Sequence, residues 1–247
     1  MKKCILIGCL AICVHAYAQR AATNYILRDQ GKLITTDDMS ARAGDFVDKN
    51  ALKNGRVGHA EGSVFLHSRW DTGYVQLQNG TVVPKLPLRY NVYSDQLYYL
   101  TDSVELVLQD LVPEFGYAYT SETGETKSIL FRSGYPPIGN NSNNSFYEVL
   151  VDGDISLLKK YSKHLRQQGL ATGIISYKIE DTEAWYGYSK SRNTIIRIKK
   201  NAGTLMGLLG AVSSNKADEL IKSDNLKLNT EKDLIRLFEM LNGGGFK

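Results

Sequence analysis

His59, Glu61 and His67 are residue types able to hold a metal, and they lie close in sequence. On a strand through 59–67 both histidines would face one side, because strand side chains alternate with a period of two. Imidazole and carboxylate are ligands that zinc accepts. The three histidines that follow residue 18, His59, His67 and His164, still fall short of a metal set, so neither a metal nor a cofactor is assigned. Carboxylates paired for acid–base work meet through space and leave no linear signature. Glu105, Glu114, Glu148 and Asp154 are candidates only in that sense, and none is assigned a catalytic role. His-Glu-x-x-His, Gly-x-Ser-x-Gly, P-loop and EF-hand patterns are all missing from the sequence.

Aromatic content is the strongest compositional lead. The chain has 15 tyrosines, with Trp70 and Trp185 besides. Tyr74, Tyr93, Tyr98, Tyr99, Tyr186 and Tyr188 fall on or beside predicted strands. Tyrosine offers apolar area with a polar tip, which suits an aromatic platform for sugars or peptides. Ordinary cross-strand packing competes with that reading, since sheets favour aromatic pairs. The densest patch is Trp185-Tyr186-Gly187-Tyr188, so Trp185, Tyr186 and Tyr188 are the candidate binding residues.

The elements that must position these residues begin with an address. Lys2 and Lys3 precede an apolar run from Ile5 to Val14, and Ala16-Tyr17-Ala18 supplies a small-x-small cleavage pattern. This reads as a signal peptide over residues 1–18, cleaved between Ala18 and Gln19. The run is shorter than the roughly 20 residues that a membrane span needs, and no second run follows. Leu6-Ile7-Gly8-Cys9 also resembles a lipidation site, but acylation at Cys9 would leave an h-region shorter than export uses. The protein is therefore expected in the periplasm or secreted.

Cleavage has chemical consequences. Cys4, Cys9 and Cys13 all lie in the signal. The processed chain then has no disulfide, thiolate metal site or cysteine nucleophile, and folds on its hydrophobic core alone. About 230 residues suffice for that. The chain has 30 basic and 26 acidic residues, and losing Lys2 and Lys3 leaves 28 against 26. Such a balance gives no bulk attraction for nucleic acid or an anionic membrane.

Residues 19–60 form a polar segment in which Thr36-Asp37-Asp38 would cap a helix over Met39–Leu52. From 61 to 200 the period is two, and a β domain is expected. Tyr74–Gln78 alternates, Asn79-Gly80 suits a two-residue hairpin turn, and Thr81–Val83 returns. Leu86, Leu88, Tyr90 and Val92 share one face, and Pro84 and Pro87 place this strand at an edge or beside a bulge. Val104, Leu106 and Leu108 line the next strand, opposite Glu105. Strands over 114–120 and 127–132 flank a polar turn at 121–124. Asn140–Ser145 reads as a mobile polar loop. Phe146–Val151 turns at Asp152-Gly153 into a strand over Ile155–Tyr161 with a loop after it, or alternatively into a helix over Ile155–Leu165, since Leu157, Leu158, Tyr161 and Leu165 also share a helical face. Ile174–Ile179, Ala184–Ser189 and Thr194–Lys199 are read as three short strands, the first two joined by a turn at Glu180-Asp181. Residues 201–247 are helical and packed on the β domain. Thr230-x-x-Asp233 resembles a capping box for a helix whose Leu234, Leu237, Phe238 and Leu241 share a face.

Several of these motifs occur in a familiar order. Gly62–Leu66, Trp70, Gly73–Val75, Asn79-Gly80 and Val83–Ser94 resemble an uncharacterised exported family of Bacteroidota. Phe146–Gly153 with Leu157–Tyr161, and Lys227–Leu234, are similar to its second half and terminal helix. The resemblance covers residues 62–242, implies an exported β meander, and brings no assigned activity or catalytic residue.

The expected architecture is mainly β: an antiparallel meander of hairpins, as an open sheet, a sandwich or a partial barrel, with a short N-terminal helix and a C-terminal helical segment. The function it points to is a non-enzymatic binding or accessory domain of the envelope, with an envelope protein or a glycan as partner. The alternative is a secreted or periplasmic glycan-active hydrolase with two carboxylates roughly 5 to 9.5 Å apart. A membrane-embedded barrel fits poorly with short, charge-broken strands and a helical tail.

Overall fold

A computed structural model describes residues 33–34, 57–108, 111–121, 123–169, 175–199 and 203–243. The expected signal peptide with its Ala18–Gln19 junction, and the helix expected over Met39–Leu52, lie outside the described residues.

The described chain is mainly β. Ten strands form one open antiparallel sheet: β3 (Asp71–Gln76), β4 (Val82–Asn91), β5 (Gln96–Thr101), β6 (Val104–Val107), β7 (Glu114–Thr120), β8 (Thr126–Arg132), β9 (Tyr147–Val151), β10 (Ile155–Gly169), β11 (Ile175–Ser189) and β12 (Thr194–Arg197). The spatial order is β6-β5-β4-β3-β7-β8-β9-β10-β11-β12. Two short strands extend it: β1 (Leu33–Ile34) pairs with β6, and β2 (Val57–Glu61) runs parallel to β11. Among the ten strands the sequential order breaks at the β3–β7 contact, where two runs of hairpins meet.

Local sequence sets several of these turns. At Asn79-Gly80 the Leu77 amide donates to Thr81 O and the Gly80 amide to Leu77 O, with Gly80 at φ 82°. A side chain at that angle would be strained, so glycine fits the corner. Pro84 sits at a register shift in the β3–β4 ladder, beside Lys85 at φ 57°. Pairing of β4 to β5 starts at Leu88, so the proline-bearing half of β4 has β3 as its one neighbour. Asn140–Ser145 is a tied turn rather than a mobile loop: Ser142 and Ser145 exchange hydrogen bonds, and Gly134 N–H donates to Asn143 O. Its short polar side chains satisfy the backbone locally.

One core fills the curl of the sheet from β6 to β8. Phe115 and Phe131 stack at 4.8 Å, and the Tyr90 ring lies 5.2 Å from Phe131. Tyr90 on β4 and Phe131 on β8 are separated by β3 and β7. At about 4.8 Å per strand a flat sheet would hold them far apart, so the sheet bends over this face.

The second half departs from the strand pattern read from sequence. β10 and β11 form one hairpin paired continuously from Ile155↔Ser189 to Gly169↔Ile175. Where a loop after Tyr161 and a turn at Glu180-Asp181 were expected, both strands run on. Opposite charges meet across the strands there: Lys163 faces Asp181, with Nζ 2.5 Å away, and Arg166 Nη1 reaches diagonally to Glu180 at 3.0 Å. Such cross-strand pairs favour extension.

The tail is helical, with α1 (Gly203–Leu209), α2 (Ala211–Ser223) and α3 (Glu231–Leu241). Leu205, Leu208, Leu234, Leu237 and Phe238 bury against Val151, Leu157 and Ile198. A Cβ on Gly187 would come within 2.5 Å of Leu208 Cδ2, so the bare backbone of β11 admits the helices. Thr230 accepts from the Asp233 amide as the N-cap of α3, but the Asp233 carboxylate accepts from Lys227 N rather than closing a capping box. Asn242 bonds both the amide and the carbonyl of Ile155, fixing the end of α3 to β10. No helix among the described residues is long and apolar enough to cross a membrane.

Candidate functional site

The segment before β3 folds back over β4. Phe65 bridges Asn91, and the Leu66 amide donates to Tyr90 O. That anchoring leaves His67, Arg69 and Asp71 to converge at the start of β3. Asp71 is only 5% exposed. Its Oδ2 lies 2.6 Å from His67 Nδ1, and its Oδ1 accepts from Arg69 Nε at 2.9 Å. Arg69 Nη2 also donates to the Thr120 carbonyl at the end of β7, tying the segment to that strand.

An ionised carboxylate only accepts, so a neutral His67 must carry its proton on Nδ1. Nε2 is then left as a base or acceptor. The ring lies 4.5 Å from the Tyr119 ring and 5.7 Å from that of Tyr117. Burial, reinforced by the Asp71 charge, pushes the Tyr117 hydroxyl far above its ordinary value. Tyr117 is thus a neutral, buried neighbour behind His67.

These residues border a cleft of about 610 Å³, with His67, Ser68 and Arg69 on one side and Tyr119, Ser121, Thr123 and Lys127 on the other. Lys127 sits opposite Tyr119 in the β7–β8 ladder, so both emerge on the same face. The groups present can donate and accept hydrogen bonds, offer an aromatic surface and neutralise negative charge. The volume falls in the range that small-molecule sites occupy, roughly 300 to 1,000 Å³.

The aromatic patch read from sequence is divided by the sheet. Trp185 packs on the helical layer, and its Nε1 donates to Glu231 at 3.3 Å. Tyr186 belongs to a different cluster, buried with Tyr135, Tyr147, Leu158 and Ile195, and its hydroxyl accepts from Asn141. Tyr188 lies edge-on to Tyr135 at 4.9 Å and donates to Asn193. Trp185 and the two tyrosines therefore do not share a platform.

The carboxylates noted from sequence are also separated. Glu105 pairs with Arg89, whose guanidinium stacks 3.9 Å over Phe65 and 4.4 Å over Trp70. Glu114 accepts from Tyr74 and Arg132. Glu148 accepts from Tyr161 at 2.6 Å, and burial holds its carboxyl above the usual range. Asp154 contributes its backbone carbonyl to Lys190. None of the four lines the His67 cleft, the cavity of about 290 Å³ beside Asp95 or the groove of about 330 Å³ beside Tyr74. Among the described residues no three histidine, aspartate or glutamate side chains converge as a metal site, and the side chain of His59 lies outside them.

Asp95 anchors a separate buried network. Its Oδ1 accepts from Tyr90 Oη at 2.5 Å and lies 2.7 Å from Lys160 Nζ. Burial lowers the Lys160 pKa, and the Asp95 charge opposes that shift.

Sequence reading missed Arg69, Asp71, Tyr119 and Lys127. The spacing His67-x-Arg69-x-Asp71 carried a signal, since an extended segment brings alternate residues together. Compared with protein-family models, with curated proteins and with solved structures, the chain matches none.

Proposed function

We propose that the chain is an exported, non-enzymatic binding domain of the cell envelope, and that the His67 cleft is its ligand site. Export rests on the charged, apolar and small-x-small pattern of residues 1–18. The observation that carries the binding site is the histidine held by a buried carboxylate at the wall of an open, hydroxyl-lined cleft. A carboxylate behind an imidazole fixes both its tautomer and its orientation, which preorganises the other ring nitrogen for a partner.

The ligand class this favours is a glycan. Ser68, Ser121 and Thr123 supply neutral donors and acceptors, and Tyr119 supplies a ring. A polyhydroxylated ligand uses all of these at once. The hydrolase alternative requires two carboxylates facing one cavity; among the described residues these three cavities have a single carboxylate between them, Asp95, and no pair. Retention of the processed protein, residues 19–247, on a panel of immobilised polysaccharides tests the reading. At least one polysaccharide should retain it, and His67→Ala should weaken that retention about tenfold, as loss of an oriented hydrogen bond does. Retention by no member, or retention indifferent to His67→Ala, would overturn the assignment.

A further inference from the structure

We infer that the ligand of the His67 cleft carries an acidic group, a carboxylate or sulfate on a sugar ring, seated against Lys127 and the outer edge of Arg69. The inference rests on the glycan reading of this cleft and adds the charge of the ligand to it.

The charge inventory is one-sided. Arg69, Lys127 and His67 are among the residues that line the cleft, and among the described residues no acidic one does. Asp71, the one carboxylate in contact with these side chains, is 5% exposed and has both oxygens engaged, one with His67 and one with Arg69. It cannot turn to meet a ligand. Arg69 uses Nε for Asp71 and Nη2 for Thr120 O, while its side chain remains half exposed. Its outer edge therefore faces outward as a donor with a fixed position. Lys127 is exposed and makes no ion pair among the described residues.

A cation that a fold does not neutralise attracts an anion, and a guanidinium held at two points loses little freedom when a third group docks. Carboxylate and sulfate both present oxygens in the geometry such donors match. A neutral sugar would leave Lys127 without a counter-charge. A cationic ligand would meet repulsion from Arg69 and Lys127 together. Charge in this cleft thus acts as a filter, favouring one ligand sign and excluding the other.

The test uses the processed chain on immobilised galacturonan and alginate as carboxylate probes, chondroitin sulfate as a probe that adds sulfate, and galactan and dextran as uncharged probes. The expected result is retention by at least one acidic polymer, falling steeply as salt is raised, and at least about tenfold less by the uncharged ones. Lys127→Glu should abolish acidic retention, whereas Lys190→Glu, an exposed site elsewhere that changes net charge equally, should not. Retention by the two uncharged polymers at the level of the acidic ones, or equal effects of the two reversals, overturns the inference and leaves the glycan reading standing. Retention by none of the five polymers overturns the inference and, with it, the glycan reading. Galacturonan and alginate retained without chondroitin sulfate, or the reverse, identifies the acid.

Discussion

His67 Nδ1 and Asp71 Oδ2 lie 2.6 Å apart, with the carboxylate buried and the imidazole at the wall of the largest of the three cavities described above. The pair is short-range in sequence, yet it is braced at long range, because Arg69 binds the same carboxylate and the end of β7. That bracing leads to the first prediction.

Asp71→Asn keeps the shape but supplies an NH₂ group where an acceptor was required. It should lower stability by about 1.5–3 kcal/mol, the range for hydrogen bonds to charged groups. It should also weaken ligand retention, because the His67 tautomer is no longer fixed. Urea unfolding and polysaccharide retention measure the two effects. Unchanged stability together with unchanged retention would contradict the bracing.

The Asp95–Lys160 pair predicts an asymmetry. Lys160 is 5% exposed and lies 2.7 Å from Asp95. Asp95→Ala strands a buried ammonium and should cost about 3–5 kcal/mol. Lys160→Met removes the charge and keeps the apolar stem, so its cost should be clearly smaller. Equal losses in urea unfolding would show that the charge pair is not the reason for the effect.

Gly187 predicts how the helices are seated. Adding a Cβ would press on Leu208 and Phe238, both fully buried. Gly187→Ala should therefore destabilise by about 1–3 kcal/mol, the usual penalty for overpacking. Far-ultraviolet circular dichroism during unfolding should show helix and sheet losing their cooperativity. A neutral effect would mean that the helical layer yields freely.

Alkaline pH should unfold the domain. Burial is the leading cause that pushes Tyr74, Tyr99 and Tyr135 up to about 12, and it raises Tyr90, Tyr117, Tyr147 and Tyr161 further. A raised folded value means that the unfolded chain releases these protons first, from about pH 10. Their stabilisation is complete below pH 10 and is lost as pH rises toward 12 and beyond. Lys160, lowered by burial, works the other way up to its ordinary 10.5, one group against seven. Tyrosinate absorbance and near-ultraviolet circular dichroism should change together in one step above pH 10. Ionisation of these tyrosines near pH 10 with the fold intact would contradict their burial.

Much of the meander was legible in the sequence. Asn79-Gly80 and Asp152-Gly153 sit at the turns they signal, and Leu86, Leu88 and Tyr90 bury as their alternation implies. Glu180-Asp181 misled because a polar dipeptide reads equally as a turn and as half of a charge ladder. Lys163 and Arg166 decide between the two, and they lie 18 and 14 residues away from their partners. Trp185, Tyr186 and Tyr188 are dense in sequence, but strand parity sends Trp185 and Tyr186 to opposite sides. The site was only half legible. His67, Arg69 and Asp71 stand at alternate positions, whereas Tyr119 and Lys127 reach them only through the β3–β7–β8 pairing.

The most direct test of the central claim compares His67→Ala with Trp185→Ala, each as processed protein, on whichever immobilised polysaccharide retains the parent chain. The account predicts that His67→Ala loses about tenfold in retention while its unfolding free energy in urea falls by no more than about 1–3 kcal/mol, the cost of leaving the buried Asp71 oxygen unpaired, and that Trp185→Ala loses stability but, where folded, retains the ligand. Undiminished retention by folded His67→Ala with loss in folded Trp185→Ala would contradict it and move the binding site to the aromatic patch on β11.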